Sequence, residues 1–551
     1  MMSLICLWLA LATPGHAAPP YAIVVSEETL GMPEWAKVVE ALKAKYDGKV
    51  FTYRRWVTEV QDSLRAFSPR YVCFVLRPPS ETDVGTVQSI NLMTRKLDDD
   101  PYGDAIWGIV TGYTPEDALR LVSIDGFRVR KVLAGTSAGW LKYVKEGIAT
   151  SESDYGKMWV KLPDGAIVDT TCPTDRTKFL IDLLNTNEFD MFITSGHGNV
   201  DMWQLHYPDP GLEGFFRSKA GQVYGDPHEG PDIYLNSTNP KIYFGLGNCY
   251  IGKIEDMNSM PLAWIHSGGA YMYTGYIMPE GPDSYQLGGM PAYFFVQDHY
   301  TWPEAFFANN QALLFDLKND TPGTNPPDLN GAALYGDPAL DVRVDPVREP
   351  LYRKEIHIAR GEERDTVTVK IVMNEEGKPG FTGKWGNRHP VILLPFRAED
   401  PKLIYTDAYK AVVTDNFVLM YIWKKGDPPL EAGEEREVVF TCLKVPTELD
   451  VGEEELDLPG PGMALEVHPN PFWGRTLLRY KLPAGIYASL HIYDITGRVV
   501  RRLYEGRGPS GWHTLSWDGR DDFGRKVASG VYICRLVAGK SACAKRIVFL
   551  R

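Results

Sequence analysis

Cysteine is scarce in this chain. Seven in 551 residues are too few for a disulfide-stapled scaffold, and no Cys-x-x-Cys pair offers a zinc or thiol-redox motif. Basic blocks are missing too: 58 Lys and Arg face 71 Asp and Glu, a net charge of −13. Without clustered cations a phosphate backbone has no surface to bind, so nucleic acid is excluded as a partner. Beyond the start of the chain no apolar run reaches the roughly 18 residues needed to cross a bilayer, and no transmembrane segment is expected. Residues 1–20 carry no charge at all, and an apolar run over 4–12 leads into Gly15-His16-Ala17-Ala18. That pattern reads as a secretory signal peptide over 1–18, although the usual basic start is lacking. What is present is ordinary for a globular protein, 44% hydrophobic and 23% charged. At about 150 residues per domain the length suggests three to four domains.

From about 19 to 346, short apolar runs alternate with helical periodicity, the signature of an α/β layer structure with parallel strands. Strands are expected at 22–25, 71–76, 105–111, 131–134, 190–194, 241–244 and 269–273, with amphipathic helices at 34–46, 115–122 and 174–184 between them. Thr114-Pro115-Glu116-Asp117 combines an N-cap, a proline at the first helical position and a first-turn acid, which marks a helix start. A boundary between two subdomains is placed near 150–185. Past 346 the helical signal stops, and period-two alternation at 366–373, 417–423 and 436–441 implies an antiparallel sandwich over 347–446. An acidic, Pro- and Gly-rich stretch, 447–465, reads as a linker, and 466–551 is again all β.

Two segments share one design, an apolar strand running into a Gly-flanked reactive residue. They are Ile193-Thr194-Ser195-Gly196-His197-Gly198 and Phe244-Gly245-Leu246-Gly247-Asn248-Cys249. Strand C-terminal ends in a parallel sheet form the crevice where ligands bind, so both side chains can emerge on one edge. A thiol within reach of an imidazole can be activated as a thiolate, the ring taking and later returning a proton. Alone, a cysteine of this kind reads as a small buried hydrophobe; the matched contexts favour catalysis. His197 precedes Cys249 by 52 residues, near the roughly 50 seen in caspases.

These two blocks resemble the His-Gly and Cys motifs of the caspase-like cysteine peptidases, a group that includes gingipains, legumains and clostripain. Ser267-Gly268-Gly269-Ala270 and Gly336-Asp337-Pro338 are similar to later blocks of gingipains. The resemblance implies a caspase-like α/β domain with a mostly parallel sheet flanked by helices, followed by two all-β immunoglobulin-like sandwiches. It further implies Cys249 as nucleophile, His197 as general base and acid, and the backbone N–H groups of Gly198 and Cys249 as oxyanion donors. The substrate would be a protein or peptide, and no cofactor is required. Asp154 is the candidate acid to orient His197. The His-to-Cys spacing exceeds that of gingipains, and the extra segment at about 201–240 is read as a loop or hairpin over the cleft. For a basic substrate side chain, Glu280 and Asp283 are acids in a suitable position along the chain. The Gln-Ala-Cys signature of caspases is absent, so cleavage after Asp is not implied.

Other readings compete. Gly135-Thr136-Ser137-Ala138-Gly139 fits G-x-S-x-G and would make Ser137 the nucleophile of a serine hydrolase, but no His-Gly-Gly block precedes it. A catalytically inactive caspase-like surface or binding protein is the alternative from another class. His197, Asp201 and His206 follow no metal-ligand spacing, so no metal site is assigned. Asp98-Asp99-Asp100 reads as a solvated acidic loop, with Ca²⁺ as its alternative occupant.

In the tail, His468-Pro469-Asn470-Pro471, Tyr493-Asp494-Ile495-Thr496-Gly497-Arg498, Trp517-Asp518-Gly519 and Ser529-Gly530-Val531-Tyr532 resemble the C-terminal sorting domains of type IX secretion cargo, β-sandwiches related to flagellar hook-capping modules. That resemblance implies secretion or cell-surface attachment in a diderm bacterium, with the secretion machinery as a partner. Cys534 and Cys543 would face each other across a turn at Ala538-Gly539; a turn at Gly539-Lys540 fits type II′ chemistry better and breaks that register.

Overall fold

The computed structural model describes residues 20–550 apart from 280–284, 320, 322–328, 444, 446–463, 471, 483–486, 495–498, 508, 523, 529 and 539–540. The expected signal peptide, most of the linker, Glu280 and Asp283 therefore lie outside the described residues. The chain divides into two compact units, Met1–Val445 and Pro446–Arg551.

In the first unit twelve strands make one sheet. In chain order they are β1 (Tyr21–Ser26), β2 (Lys49–Tyr53), β3 (Tyr71–Val75), β4 (Ile106–Val110), β5 (Lys131–Ala134), β6 (Glu146–Thr150), β7 (Lys157–Lys161), β8 (Ile167–Thr171), β9 (Met191–Thr194), β10 (Lys241–Gly245), β11 (Ala270–Tyr276) and β12 (Ala332–Tyr335). Their spatial order is β2-β1-β3-β4-β12-β11-β10-β9-β5-β6-β7-β8. The sheet is mostly parallel, as the sequence pattern suggests, but it is mixed at two places. β12 pairs parallel with β4 and antiparallel with β11, so the blocks on either side of that junction run in opposite directions. β7 and β8 extend the far edge as antiparallel strands, half exposed and polar on one side.

Helices cover both faces because the central strands are buried on both sides. Helices Pro33–Tyr46 and Pro115–Leu121 seat Val38, Leu42 and Ala118 against Ile23, Val25 and Val110. The Thr114–Asp117 capping box starts the second of these helices where its sequence indicates. In helix Met260–His266, Trp264 packs 4.7 Å from the Tyr243 ring and 5.2 Å from Phe192. The 201–240 segment is more ordered than a loop: 198–199, 202–204, 215–219, 222–226 and 233–234 form a five-stranded antiparallel sheet. Gly225 on it lies directly over Thr177 and Ile181 of helix Thr177–Asn185.

The remainder of this unit is all β. A four-stranded sheet (Tyr352–Ala359, Arg364–Met373, Glu435–Leu443, Lys402–Thr406) and a three-stranded one (Val391–Leu393, Phe417–Tyr421, Lys410–Val413) follow the α/β layer.

The second unit has its own core around Phe472, Trp517, Tyr532 and Phe549, between sheets of three and five strands. Its last hairpin pairs Ala538 with Ser541 and Cys534 with Lys545. In the same register Cys543 stands opposite Leu536. This differs from the register in which Cys534 and Cys543 would face each other.

Candidate active site

β9 and β10 are neighbours, paired Thr194 to Gly245, so the chain leaves both at one sheet edge. The two exits have matching backbones: Gly196 and Gly247 both adopt φ +82°. Their side chains converge on one cavity of about 440 Å³, lined by His197, Cys249, Ser195, Glu152 and Ser137 together with Trp140, Tyr143, Tyr207, Leu246, Pro291 and Trp385. His197 is exposed in it and Cys249 half-buried. Sequence reasoning thus places the thiol and the imidazole in the same cleft.

Asn248, fully buried beside the cysteine, ties the two exits together. Its Oδ1 accepts from Thr194 Oγ1 at 2.9 Å, and its Nδ2 donates to the Gly196 carbonyl at 3.1 Å. The loops touch so closely that a Cβ on Gly198 would stand 2.9 Å from Asn248 Cβ and 3.3 Å from the Cys249 carbonyl oxygen. Gln204 N–H donates to the His197 carbonyl at 3.0 Å, while Gly198 pairs with Trp203. By antiparallel alternation this pairing leaves the Gly198 N–H outside that ladder. Below the cysteine, Tyr273 donates to the Ile251 carbonyl and Tyr335 to Gly252 at 2.8 Å, and these bonds anchor the loop on β11 and β12.

The acid at the cleft is not the expected one. Asp154 keeps its carboxylate at Ser151 Oγ and 3.6 Å from Lys157, is 53% exposed and does not line the cavity. Glu152, two residues earlier, lines it and accepts a hydrogen bond from Ser195 Oγ. Burial pushes the Glu152 carboxyl up, with the Ser195 bond and the Arg176 charge pulling the other way. Glu152 is further held by its backbone, which bonds Thr136 and Tyr207. Tyr207 stands over the site, its ring 5.1 Å from that of His197. Asn248, Glu152 and Trp385 carry no recognisable motif; the only local signal is an Asn next to the cysteine.

Ser137 also faces the cavity from the end of β5, exposed and extended at φ −161°. Among the described residues no hydrogen bond from a histidine to its hydroxyl is found, although His197 lines the same cavity. Three carboxylates elsewhere, Asp98, Asp104 and Asp415, bring oxygens within 4.8 Å of one another, and none of them lines the cleft. Burial pushes Asp104 up to about 8 and Asp100 to about 6.

Comparison with known proteins gives three findings. Residues 474–541 match the FlgD Ig-like domain family. No curated protein matches the chain. Among solved structures the chain is similar to the Arg-specific cysteine proteinase gingipain R, with 10% identity over 85% of this chain and 96% of that one and a TM-score of 0.38. It is also similar to dimeric latent PorU from Porphyromonas gingivalis, with 11% identity over 96% of this chain and 64% of that one and a TM-score of 0.21. The chemistry of the cleft rests on this chain's own residues, in a mixed α/β sheet followed by all-β modules.

Proposed function

We propose that the chain is a cysteine endopeptidase acting through Cys249 and His197. The observation that carries this is the convergence of the two side chains, from adjacent strand ends cross-tied by Asn248, on one cavity. In the reaction His197 takes the thiol proton and the Cys249 sulfur attacks the substrate carbonyl carbon. The resulting oxyanion meets the N–H groups of Gly198 and Cys249, each worth about 3 kcal/mol when correctly aimed. Collapse breaks the C–N bond as His197 returns the proton to the amine. Water, deprotonated by the same imidazole, then hydrolyses the thioester and frees the thiol. Glu152, through Ser195, fixes the position of the strand-end loop that bears His197.

A thiol-directed electrophile with a peptide recognition element tests this. Covalent labelling is expected at Cys249, falling at least about tenfold in His197→Ala. Labelling of Cys249 at equal rates in both proteins would contradict the dyad and favour a catalytically silent binding protein. The reading extends to export: the apolar start and the tail motifs support a secreted, type IX-sorted bacterial protein. N-terminal sequencing of protein from culture medium, expected to begin near residue 19, checks that part.

A further inference from the structure

The α/β layer does not close the cleft alone. One wall comes from a loop of the all-β segment, where Trp385 faces the cavity with 45% of its surface exposed. The loop is not a free surface feature. Arg388, fully buried, donates to the Gly383 carbonyl at 2.6 Å and to that of Lys384, and its guanidinium stacks 3.8 Å from the centroid of the Tyr285 ring. Tyr293 and Gln297 bond the carbonyls of His389 and Arg388 from the other side. The indole lies on glycine at both contacts. A Cβ on Gly288 would stand 2.6 Å from it and 2.3 Å from the Lys384 oxygen, and one on Gly247, two residues before the cysteine, 3.8 Å from it.

Beside Trp385 the wall carries the aromatic rings and aliphatic carbon of Trp140, Tyr143, Leu246 and Pro291, while the hydroxyls of Thr136, Ser137 and Ser195 lie on the rest of the lining with His197 and Tyr207. Among the described residues its one carboxylate is Glu152, which already accepts a hydrogen bond from Ser195 Oγ. A large apolar side chain gains most against such a wall, and an Arg or Lys would give up hydration for at most that one carboxylate.

We propose that Trp385, carried on a loop clamped by Arg388, is a specificity-determining residue that selects a large apolar or aromatic side chain next to the scissile bond. The inference rests on the peptidase reading for its rate consequence, but the recognition itself is a binding property. A panel of peptides differing only at the residue before the scissile bond (Phe, Leu, Ala, Arg) separates the two. With wild-type protein, kcat/KM is expected to be about tenfold or more higher for Phe than for Ala or Arg. Trp385→Ala should collapse the Phe-to-Ala ratio towards one, Trp385→Phe should restore most of it, and Gly288→Ala, which presses on the same loop, should lower it. A preference for Arg, or a ratio unchanged in Trp385→Ala that melts like wild type, overturns the proposal. The same peptides are titrated calorimetrically into Cys249→Ala. Tighter binding of the Phe peptide that is lost in the double variant with Trp385→Ala supports the proposal even if the wild type proves inactive, an outcome that would defeat only the peptidase reading. Equal binding of the Phe and Ala peptides overturns it.

Discussion

Asn248 carries more of the site's geometry than either reactive residue. It is fully buried on the exit of β10 and bonds Thr194 and Gly196, both on the exit of β9. Truncating it takes the amide donor from the Gly196 carbonyl and leaves the Thr194 hydroxyl only its bond to Tyr243, at about 1–3 kcal/mol for the lost partner. Asn248→Ala is therefore expected to melt several degrees lower and to lose about tenfold or more in kcat/KM, with KM changed less than kcat because the loops, not the walls, have moved. Gly198→Ala should act in the same direction, since its methyl group would meet Asn248 and the Cys249 carbonyl. Melting curves and steady-state rates check both; wild-type rates in either variant would show that the cross-tie is idle. At this scale the placing of His197 and Cys249 on one cavity was legible because Gly-flanked His and Cys follow apolar strands. The acid was not, because Glu152 and Asp154 differ only in where the chain after β6 turns. Asp154 stays with Ser151 and Lys157, and Glu152 turns to Ser195.

Strand β10 shows how an element can couple the site to pH. Lys241 opens it fully buried, donating to Ser237 Oγ at 2.6 Å and to the carbonyls of Asn239 and Gly268 at 2.8 and 3.0 Å. Burial, helped by the nearby Arg120 charge, pulls the ammonium down to about 7. An unfolded lysine titrates near 10.4. Between about 7 and 10.4 the unfolded chain therefore holds one more proton at this site than the folded one. This contribution to stability rises with pH by about 1.4 kcal/mol per unit across that window and is lost as pH falls through 7. Urea unfolding at pH 7 and pH 9 is expected to show this dependence weakened in Lys241→Met; an identical slope in both proteins would contradict it.

All seven strands expected of the α/β region form, because each is a continuous apolar run. β7 and β8 escaped notice since Lys157-Met158-Trp159-Val160-Lys161, next to the sheet edge, is only partly buried and Ile167-Val168-Asp169-Thr170-Thr171, the edge strand, is mostly exposed. Helix Trp302–Lys318 escaped for the opposite reason: it is buried almost all round, so it has no polar stripe to betray its period. The antiparallel junction at β12 depends on a long return of the chain that no local pattern encodes.

Across the whole molecule, the first all-β segment belongs structurally to the cleft. Tyr293 and Tyr300 donate to the His389 and Val391 carbonyls at 2.6 Å each, and His389 Nε2 lies 3.1 Å from Asp316, all of them buried. A chain ending at 346 would leave these groups unpaired, and we expect it to be insoluble or to lack a cooperative melt. A chain covering 20–445 keeps the whole first unit and should retain the kcat/KM of the full protein. Expression and assay of both fragments decides this; an active 20–346 fragment would refute the dependence.

The central claim is that Cys249 forms the acyl-enzyme. The most direct measurement is an acid quench during turnover of an ester or peptide substrate, followed by mass spectrometry of the digested protein. The expected result is a substrate acyl mass on the peptide containing Cys249, absent in Cys249→Ala together with all hydrolysis and strongly reduced in His197→Ala. An acyl mass on Ser137, or hydrolysis by Cys249→Ala at the wild-type rate, would contradict the account.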